Sequence, residues 1–580
     1  MKRHLFLSIS AVCLIASLSL ASCNKEDIPG EDPEVQQPAA NEITFTATLT
    51  PKGEGPMSKA ITSGTDANDK EILNVAWAEG EEIAVYYQKT DNSYATATAT
   101  IGTPNPDGSA PITATLTDAK GGTAKFVYPA TLANTTGDID EAALLNQNGN
   151  LTGANGISTK FDAATGEGTI TVVESEASVS GTVSMANRVC ICKFHFDIIE
   201  SAGGGALSKE REFSPIIIRD GNGHTYTITS DRAGEYSGTR GFKRSDDIYI
   251  ALLPVSGKTV SFYTKYSNHY LYTASGTTLT AGKFYRSLSI EMVKDESGQC
   301  NKYRDLRDGS ITANDGDIIY QRVNTSTTDK TITIPDGYTV TLAGVNISAT
   351  GSAGIICSGD ATINLEGVNT VTTSAENYPA IQAGGSGKTL TIQGRGNVTA
   401  LGGMLGAGIG TGYHGTCGNV TISGGTITAI GGIQGAGIGS GDLGNCGDIT
   451  IISGSVIANG GASAAGIGSG IGSSNVGTCG DITINGGTIT ATGGFNAAAI
   501  GSGFCSHCGA IIIENSVTRV TANNSAEYPG PYSIGKGFEN SVSASTCGFI
   551  SIGGTVYYDG TAFQNDGDTY LATSPLVYEP

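Results

Sequence analysis

The chain has 580 residues, and its 33 basic and 54 acidic side chains give a formal net charge of −21. This length predicts several domains. The acidic balance argues against nucleic acid, or any other polyanion, as a partner held by bulk charge. The 83 glycines recur at regular intervals, which is typical of the turns of a repeat and not of a disordered chain.

Residues 1–22 have the pattern of a secretory signal peptide. Lys2 and Arg3 precede an apolar run over residues 5–20 that is too short for a membrane-spanning helix. The run ends in LASC at residues 20–23, which resembles the lipobox of bacterial lipoproteins. The resemblance implies cleavage before Cys23, acylation of Cys23 and a lipid anchor in the outer membrane. An ordinary signal peptide followed by a chance cysteine is the alternative.

Residues 23–40 predict a flexible tether because they are acidic, rich in proline and free of aromatic side chains. Residues 25–27, with the sequence KED, resemble the signal that exports some Gram-negative lipoproteins to the outer face of the membrane. A solvated run of charges is the other interpretation of the same residues. On the first interpretation the protein is exposed at the cell surface.

Residues 41–292 predict β-sandwiches. Short runs that alternate apolar and polar residues recur between turn-rich stretches, without helical periods between them. In the run CICKFHFDI the alternation puts Cys190, Cys192 and Phe194 on one face. We therefore expect both cysteines to lie in a core.

Six spaced motifs in this region resemble the fimbrillin-like family of surface lipoproteins. They are EITFTATL at 42–49, SKA at 58–60, WAEGEEI at 77–83, FVYP at 126–129, ALLP at 251–254 and AGKFY at 281–285. The resemblance implies two transthyretin-like β-sandwich subdomains, at residues 41–175 and 176–292. It also implies a fimbrial stalk, anchor or tip subunit, or a related surface protein, with fimbrial subunits as partners.

Two features depart from the polymerising members of that family, which lose an N-terminal strand by proteolysis, often after arginine, and exchange strands. No arginine lies between Arg3 and Arg188, and a large repeat region follows the sandwiches. A tip subunit or a non-polymerising surface protein therefore fits better than a stalk subunit.

Residues 293–329 predict a linker with a capping turn, and residues 330–580 predict a right-handed parallel β-helix with a C-terminal cap. Five repeats begin with a cysteine, at Cys417, Cys446, Cys479, Cys508 and Cys547, and the first three intervals are 446 − 417 = 29, 479 − 446 = 33 and 508 − 479 = 29 residues. Each repeat holds three short alternating runs separated by glycine turns, which predicts three strands per turn and about seven or eight turns. The crossover rule gives the right hand. The fold class is thus predicted to be all-β.

Equivalent residues of neighbouring turns stack about 4.8 Å apart, and three aliphatic ladders are predicted. The first is Ile363, Ile392, Ile422, Ile451, Ile484, Ile513 and Ile552. The second is Val398, Ile427, Val456, Ile489, Val517 and Val556. The third is Ile355, Ile381, Ile409, Ile438, Ile467, Ile500 and Ile534.

The cysteines that begin the repeats would stack within disulfide reach. Export permits bridges, whereas side chains that point the same way give an awkward S–S torsion. Two states therefore stay open: a stack of free thiols, or bridges between Cys417 and Cys446 and between Cys479 and Cys508.

Asn419, Asp448 and Asp481 occupy one outward position on successive turns. A row of oxygen ligands would suit Ca²⁺, but only Asp448 and Asp481 are charged, and Ala510 ends the row. Capping of tight turns is favoured over a calcium site, and no other cofactor is predicted.

Cys505, His507 and Cys508 are metal-capable residues close together in sequence. A zinc site usually needs four ligands, and the nearest other histidine, His414, lies about three turns away. A structural role is therefore favoured for this group.

Parallel β-helices also occur in polysaccharide lyases and glycosidases, whose chemistry needs paired carboxylates or a base with charge stabilisation. Within residues 401–503 the charged side chains are Asp442, Asp448 and Asp481, and His414 is the one histidine. The sequence therefore favours a non-catalytic protein with no catalytic residues.

We expect a lipid-anchored surface adhesin or ligand-display protein, at a fimbrial tip or as an accessory component, that meets a host-surface ligand. The alternative is a polysaccharide-binding protein for glycan capture, because the repeats loosely resemble bacterial carbohydrate-binding surface domains. A lyase or glycosidase ranks third. The identity of the ligand-binding residues does not follow from the repeat sequence.

Overall fold

The computed structural model describes residues 42–50, 62–65, 71–74, 76–153, 156–199, 212–230, 241–266, 268–285, 289–321, 327–473, 477–524, 531–540 and 543–580. The signal peptide, Cys23 and the tether lie outside these residues, so what the sequence predicts for them stays a prediction.

The first half of the described chain is built from short strands. They are β1 (Glu42–Leu49), β2 (Thr62–Thr65), β3 (Glu71–Asn74), β4 (Glu82–Gln88), β5 (Tyr94–Ile101), β6 (Ala110–Thr117), β7 (Gly122–Tyr128), β8 (Asn146–Gln147), β9 (Ala164–Val173), β10 (Glu176–Val183), β11 (Ala186–Asn187), β12 (Cys190–Ile199), β13 (Glu212–Phe213), β14 (Ile216–Arg219), β15 (Thr225–Ile228), β16 (Phe242–Lys243), β17 (Ile248–Leu252), β18 (Val255–Lys265), β19 (His269–Leu279), β20 (Phe284–Tyr285) and β21 (Ser289–Lys294). Short 3₁₀ turns at Ala130–Leu132 and Glu141–Leu145, and a π turn at Ile157–Phe161, interrupt them.

The first sandwich is a sheet with the order β10-β1-β6-β5-β4-β7-β9-β11. It closes on itself because β10 pairs both with β1, in parallel, and with β9. Alternation along β1 turns Phe45 and Leu49 inward, where both are fully buried. Phe45 faces Phe126 across the core, with ring centroids 6.2 Å apart. The N-terminal strand is therefore held by backbone pairing on both sides and by an aromatic core.

The second sandwich is a sheet with the order β17-β12-β21-β19-β18-β14-β15-β8, with β20 also on β12. Strand β12 buries Cys190 and Cys192 in its core, together with Phe196. This confirms the core position predicted for the two cysteines. The prediction of two β-sandwiches is confirmed as well. The sheets do not divide at residues 175 and 176 as predicted, because β10 and β11 pair in the first sheet and β8 pairs in the second.

The second half is a solenoid of still shorter strands. They are β22 (Tyr303–Asp305), β23 (Ile311–Thr312), β24 (Ile318–Tyr320), β25 (Ile332–Ile334), β26 (Tyr338–Ala343), β27 (Asn346–Ala349), β28 (Ile355–Cys357), β29 (Ala361–Glu366), β30 (Val368–Thr373), β31 (Ile381–Gln382), β32 (Thr389–Gly394), β33 (Asn397–Leu401), β34 (Ile409–Gly410), β35 (Asn419–Ile430), β36 (Ile438–Gly439), β37 (Asn445–Cys446), β38 (Ile449–Asn459), β39 (Ile467–Gly468), β40 (Thr478–Cys479), β41 (Ile482–Ile484), β42 (Gly487–Thr492), β43 (Ile500–Gly501), β44 (His507–Cys508), β45 (Ile511–Ile513), β46 (Val517–Asn523), β47 (Ile534–Gly535), β48 (Ile550–Ile552), β49 (Thr555–Tyr558) and β50 (Leu576–Tyr578). Helix α1 (Gly567–Ala572) and 3₁₀ turns at Gln299–Lys302 and Leu306–Asp308 complete the secondary structure. Along the described residues, no helix has the length and apolar character needed to cross a membrane.

Successive turns pair in parallel, which confirms the predicted parallel β-helix. One sheet contains one short strand from each turn, in the order β23-β25-β28-β31-β34-β36-β39-β43-β47. Nine strands in this sheet mean nine turns in the described solenoid, more than the seven or eight expected. The first turn comes from residues 303–320, because β22 already pairs in parallel with β24 inside the segment predicted as linker and cap.

Two of the three predicted ladders are confirmed in full by the pairing. The first runs from Ile363 to Ile552 and the third from Ile355 to Ile534, with every predicted neighbour paired. Their isoleucines are almost fully buried.

The second ladder is wrong at its end. Ile489 pairs with Val520, and Val517 pairs with Gly487 instead, because a bulge shifts the register by one residue there. Val556 pairs with Ser551 on a strand that runs back antiparallel, so it belongs to the cap and not to a further turn.

The C-terminal end of the solenoid is closed, as predicted. Strand β49 folds back antiparallel on β48, β50 pairs antiparallel with β46, and α1 buries Leu571. These elements cover the edge that an uncapped parallel sheet would offer to other chains.

An apolar cluster joins the second sandwich to the first turns of the β-helix. Ile217 and Tyr263 of the sandwich pack with Tyr303, Ile318 and Tyr320 of the solenoid. Tyr263 and Tyr303 stack with ring centroids 4.1 Å apart and an interplanar angle of 9°. The two halves therefore share a small core.

An ionic cluster also joins the second sandwich to the β-helix, with His224 and Asp220 buried and Arg395 exposed. His224, which is 4% exposed, has Nδ1 2.5 Å from the Asp220 carboxylate and Nε2 3.4 Å from the Glu141 carboxylate. Arg395 of the β-helix reaches the same ring, with Nη1 3.1 Å from Nε2. Burial alone lowers the pKa of His224, but hydrogen bonds to Asp220 and Glu141 outweigh it and raise the pKa to about 9.

Candidate binding surface

Before each strand of the nine-stranded sheet the chain turns a corner, and the residue at that corner points its side chain outward, where a partner could contact it. Met404, Ile433, Ala462 and Phe495 each follow a Gly-Gly pair and take equivalent places on successive turns. The glycines are required, because a Cβ on Gly432 would lie 1.9 Å from the carbonyl oxygen of Gly403 on the turn before. Backbones this close push the next side chain outward.

A second row follows the same strands. Its members each donate their backbone N–H to a carbonyl oxygen on the preceding turn, at 2.8 to 3.3 Å; they are Tyr413, Asp442, Ile471, Phe504 and Phe538. For the last four, that carbonyl belongs to the residue directly after a member of the first row. The regular bond places the second row next to the first along the solenoid. The two rows therefore form one continuous strip.

Five apolar side chains on this strip are strongly exposed. We call them the corner ridge: Met404 (44% exposed), Tyr413 (40%), Ile433 (58%), Phe495 (64%) and Phe538 (44%). Ala462 interrupts the first row, and three residues separate Tyr413 from Phe538 in the second. Isolated exposed apolar residues are ordinary, but several of them on one strip make it a candidate interaction surface.

One carboxylate lies within the strip. Asp442 is only 8% exposed, and within the described residues no hydrogen bond reaches its side chain. Burial raises its pKa, against a smaller lowering by His414. The His414 backbone N–H bonds the Asp442 carbonyl at 3.0 Å, and the His414 ring lies 4.3 Å from that of Tyr413. The strip thus has an unused hydrogen-bond acceptor beside an exposed ring.

The flat faces of the β-helix carry uncharged polar rows. Thr421, Thr450 and Thr483 pair on successive turns, as the sequence predicts. The neighbouring row is interrupted, because Ile457 separates Thr428 from Thr490. The side chains of these rows are half-buried, and in the described solenoid they do not converge on a point where a ligand would bind.

The row of Asn419, Asp448 and Asp481 caps the turns. The Oδ1 atom of each accepts the backbone N–H of the next member, at 2.9 Å, and Asp481 accepts from Ala510 at 2.7 Å. One oxygen of each side chain is therefore used for the fold. Among the described residues, no group of three or more His, Cys, Asp or Glu is arranged to hold a metal, and a calcium site at Asp448 and Asp481 stays the less favoured alternative.

The ladder cysteines form a buried stack. Cys417 Sγ lies 3.2 Å from Cys446 Sγ, and Cys446, Cys479 and Cys508 pair in register on successive turns. Hydrogen bonds among neighbouring thiols, and then burial, raise the pKa of Cys417, Cys479 and Cys508, so as thiols these groups are poor nucleophiles. A stack of free thiols and the two bridges remain the alternatives that the sequence leaves open.

The metal-capable group at residues 505–508 does not converge on one point. Cys505 is buried, with its backbone N–H bonded to Phe538, and His507 Nδ1 lies 2.7 Å from Thr546 Oγ1. This geometry agrees with the structural role favoured by the sequence.

The corner ridge was not predicted from the sequence. A signal was present, because an apolar residue follows Gly-Gly where a glycine-rich loop would ordinarily carry a polar one. Only the stacking of the turns shows that these residues lie side by side.

A family model described as "Beta helix repeat" matches residues 390–413, 420–442 and 482–504. These segments are turns of the solenoid described above. No curated protein matches the chain.

Solved structures similar to this chain include a proposed cell adhesion protein from Bacteroides fragilis NCTC 9343, at 12% identity over 43% of this chain and 93% of that chain, with a TM-score of 0.24. A fimbrial protein from Bacteroides ovatus ATCC 8483 matches at 12% identity over 45% of this chain and 52% of that one, with a TM-score of 0.21. A fimbrial assembly protein from Parabacteroides distasonis ATCC 8503 matches at 12% identity over 45% and 93%, with a TM-score of 0.21. The family match agrees with the predicted β-helix repeat, and likeness to solved structures at this level does not identify a function.

Proposed function

We propose that this protein is a non-catalytic cell-surface adhesin, held in the outer membrane by a lipid on Cys23, whose β-helix presents the corner ridge to a partner. The observation that carries the proposal is the ridge itself. Five apolar side chains, each at least 40% exposed, follow one edge of a capped solenoid. Exposed apolar rows of this kind are stabilised by burial against a partner.

The absence of catalysis is part of the proposal. The three carboxylates of residues 401–503 do not resemble a catalytic pair. Asp448 and Asp481 accept backbone N–H groups at turns, and Asp442 is buried. Glycoside hydrolysis needs two carboxyl groups facing one bond. The ridge supports binding without requiring any reaction.

A second candidate is the capture of polysaccharide. The observation that favours it is the exposed ring of Tyr413 on the same strip as Asp442, a carboxylate that is 8% exposed and has no hydrogen bond among the described residues. An aromatic face with an adjacent acceptor suits a sugar, which offers an apolar face and hydroxyl donors.

The ridge can be tested by substituting Ile433→Ser and Phe495→Ser together and measuring adhesion of cells that display the full chain to host cell layers. We expect adhesion to fall by about tenfold or more, because exposed anchors dominate binding energy. The matched control is Val173→Ser in the first sandwich, which is 66% exposed and should change nothing. Normal adhesion by the ridge variant would contradict the proposal.

The anchor is tested separately. Cys23→Ala should move the protein from the membrane fraction to the soluble fraction, because acyl chains supply the membrane affinity. Retention of the variant in the membrane fraction would remove the lipid anchor from the proposal.

A further inference from the structure

A cavity of about 360 Å³ lies where the last turn of the β-helix meets its C-terminal cap. We call it the end pocket. The last turn contributes Tyr532, Lys536 and Glu539, and the cap contributes Tyr558 and Phe563. Its volume falls in the range of about 300–1,000 Å³ that is typical of small-molecule sites.

One wall of the end pocket is aromatic. Phe563 lies between the other two rings, with centroids 5.5 Å from Tyr532 and 5.2 Å from Tyr558. The Tyr532 hydroxyl donates to the Asp568 carboxylate at 2.5 Å, which fixes that ring. Phe563 remains 41% exposed, so the wall can be reached from solvent.

The lining also supplies one donor and one acceptor, Lys536 and Glu539. Lys536 Nζ and the Glu539 carboxylate are 3.8 Å apart, which is longer than a hydrogen bond. Within the described residues the Lys536 ammonium has no hydrogen bond, and Glu539 accepts one, from the Ser545 backbone at 3.3 Å. Both groups therefore keep capacity for a ligand.

The balance of charge indicates which ligand. Lys536 and Glu539 cancel, so the pocket offers no net charge to a carboxylate or phosphate, and the chain as a whole is at −21, which disfavours polyanions. An aromatic wall beside a paired donor and acceptor suits a ring with one apolar face and several hydroxyl groups.

We infer that the end pocket binds the ring of a neutral sugar, stacked on Phe563 and hydrogen-bonded to Lys536 and Glu539. The inference deepens the proposed adhesin function and rests on it in one respect, namely that the β-helix meets an external partner; it adds a neutral sugar as the chemistry of a ligand. The pocket is a separate site from the corner ridge.

Cys547 provides a way to measure occupancy. Its thiol lines the same pocket and is half-buried, whereas the other nine cysteines of the described chain are buried. A ligand in the pocket should shield Cys547 from a maleimide, and peptide mass spectrometry reads that residue alone.

The experiment labels the full chain with maleimide in the presence of methyl glycosides of glucose, galactose, mannose and fucose, with glucuronate as the charged analogue. We expect at least one neutral glycoside to slow labelling of Cys547 saturably, by about tenfold at ten times its Kd. Phe563→Ser and Lys536→Gln should each abolish or strongly weaken the protection. Lys536→Gln keeps the test valid if Phe563→Ser unfolds the cap.

Tyr94→Ser in the first sandwich removes an aromatic ring of similar exposure, 44% against 41% for Phe563; it is the control and should leave the protection intact. The inference is overturned if no neutral glycoside protects Cys547, if glucuronate protects better, or if protection survives both pocket variants. Failure of the pocket would show as an unprotected Cys547 in a chain that still adheres. If the ridge variants adhere normally while a glycoside still protects Cys547, the proposed adhesion through the ridge fails and the pocket is supported.

Discussion

The two halves of this protein fill their interiors in opposite ways. The first sandwich packs large, dissimilar rings, such as Phe45 against Phe126 and Trp77 edge-on to Tyr128 at 5.4 Å. The β-helix instead repeats one medium-sized side chain, as in the ladder from Ile363 to Ile552. The different shapes of the core side chains therefore specify the strand register of the sandwich. In the solenoid, the stacked isoleucines and the spacing of the glycines specify it.

Glycine also differs between the halves. In the hairpin between β18 and β19, a Cβ on Gly276 would meet nothing within 4 Å, although its φ is +67°. In the solenoid, a Cβ on Gly439 would lie 1.8 Å from the carbonyl oxygen of Gly468. The first glycine lies within β19, where the pairing with β18 shifts register, and the second permits one backbone to stack on another.

The largest effect should come from Gly439→Ala. Both the clash and the φ of +135° oppose a side chain, so we expect a loss of about 4 kcal/mol or more in the free energy of unfolding. Gly276→Ala should cost only about 1 kcal/mol, because it meets strain without a clash. Urea unfolding of both variants measures the difference, and equal losses would break the comparison.

The next largest effects should come from core substitutions. We expect the free energy of unfolding to fall by about 3 to 5 kcal/mol for Phe45→Ala and by about 1 kcal/mol for Ile451→Val. Phe45 sits among rings that cannot collapse into the space, whereas Ile451 loses one methylene in a uniform ladder. Hydrogen exchange by mass spectrometry should report faster exchange in β1 and β6 for Phe45→Ala only. Exchange that rises throughout the β-helix as well would show that the two cores unfold together.

The junction between the halves should depend on pH. The pKa of His224 is raised to about 9 in the folded protein, above its ordinary value of about 6.5. Its contribution, on the order of 2 kcal/mol after allowance for solvent screening, is therefore fully present below pH 6.5 and lost as pH rises through 9. Asp220, Glu141 and Arg395 face the ring.

Stability measured by urea between pH 6 and pH 10 tests this. His224→Gln should flatten the profile in this range. An unchanged profile would mean that the Arg395 guanidinium holds the ring neutral.

The smallest effect should come from the capping row. Asn419→Ala removes the acceptor of the Asp448 N–H, and we expect a loss of about 1 kcal/mol. Asn419→Asp keeps an acceptor and should be close to neutral. Melting temperature with and without Ca²⁺ is the measurement, and a rise with Ca²⁺ that disappears in Asp448→Ala would establish a metal role for the row instead.

Most of the solenoid could be predicted from the sequence, because the residue pattern that specifies it is local and periodic. The ladder from Ile355 to Ile534 follows from counting residues between glycines. The count failed at Val517 and Val556, where a bulge and a reversed strand replaced the period. A repeat predicts its own continuation, and it contains no signal for the point at which it stops.

By itself, the sequence determined the all-β class, the parallel β-helix and the cysteine positions within the cores, since each depends on alternation or spacing along the chain. Only the tertiary structure decided the junction, the corner ridge and the end pocket. Arg395 meets His224 across 171 residues, and Asn397 meets Asp140 across 257. Contacts of this kind have no period, because they depend on how finished elements pack, and no local pattern of residues records them.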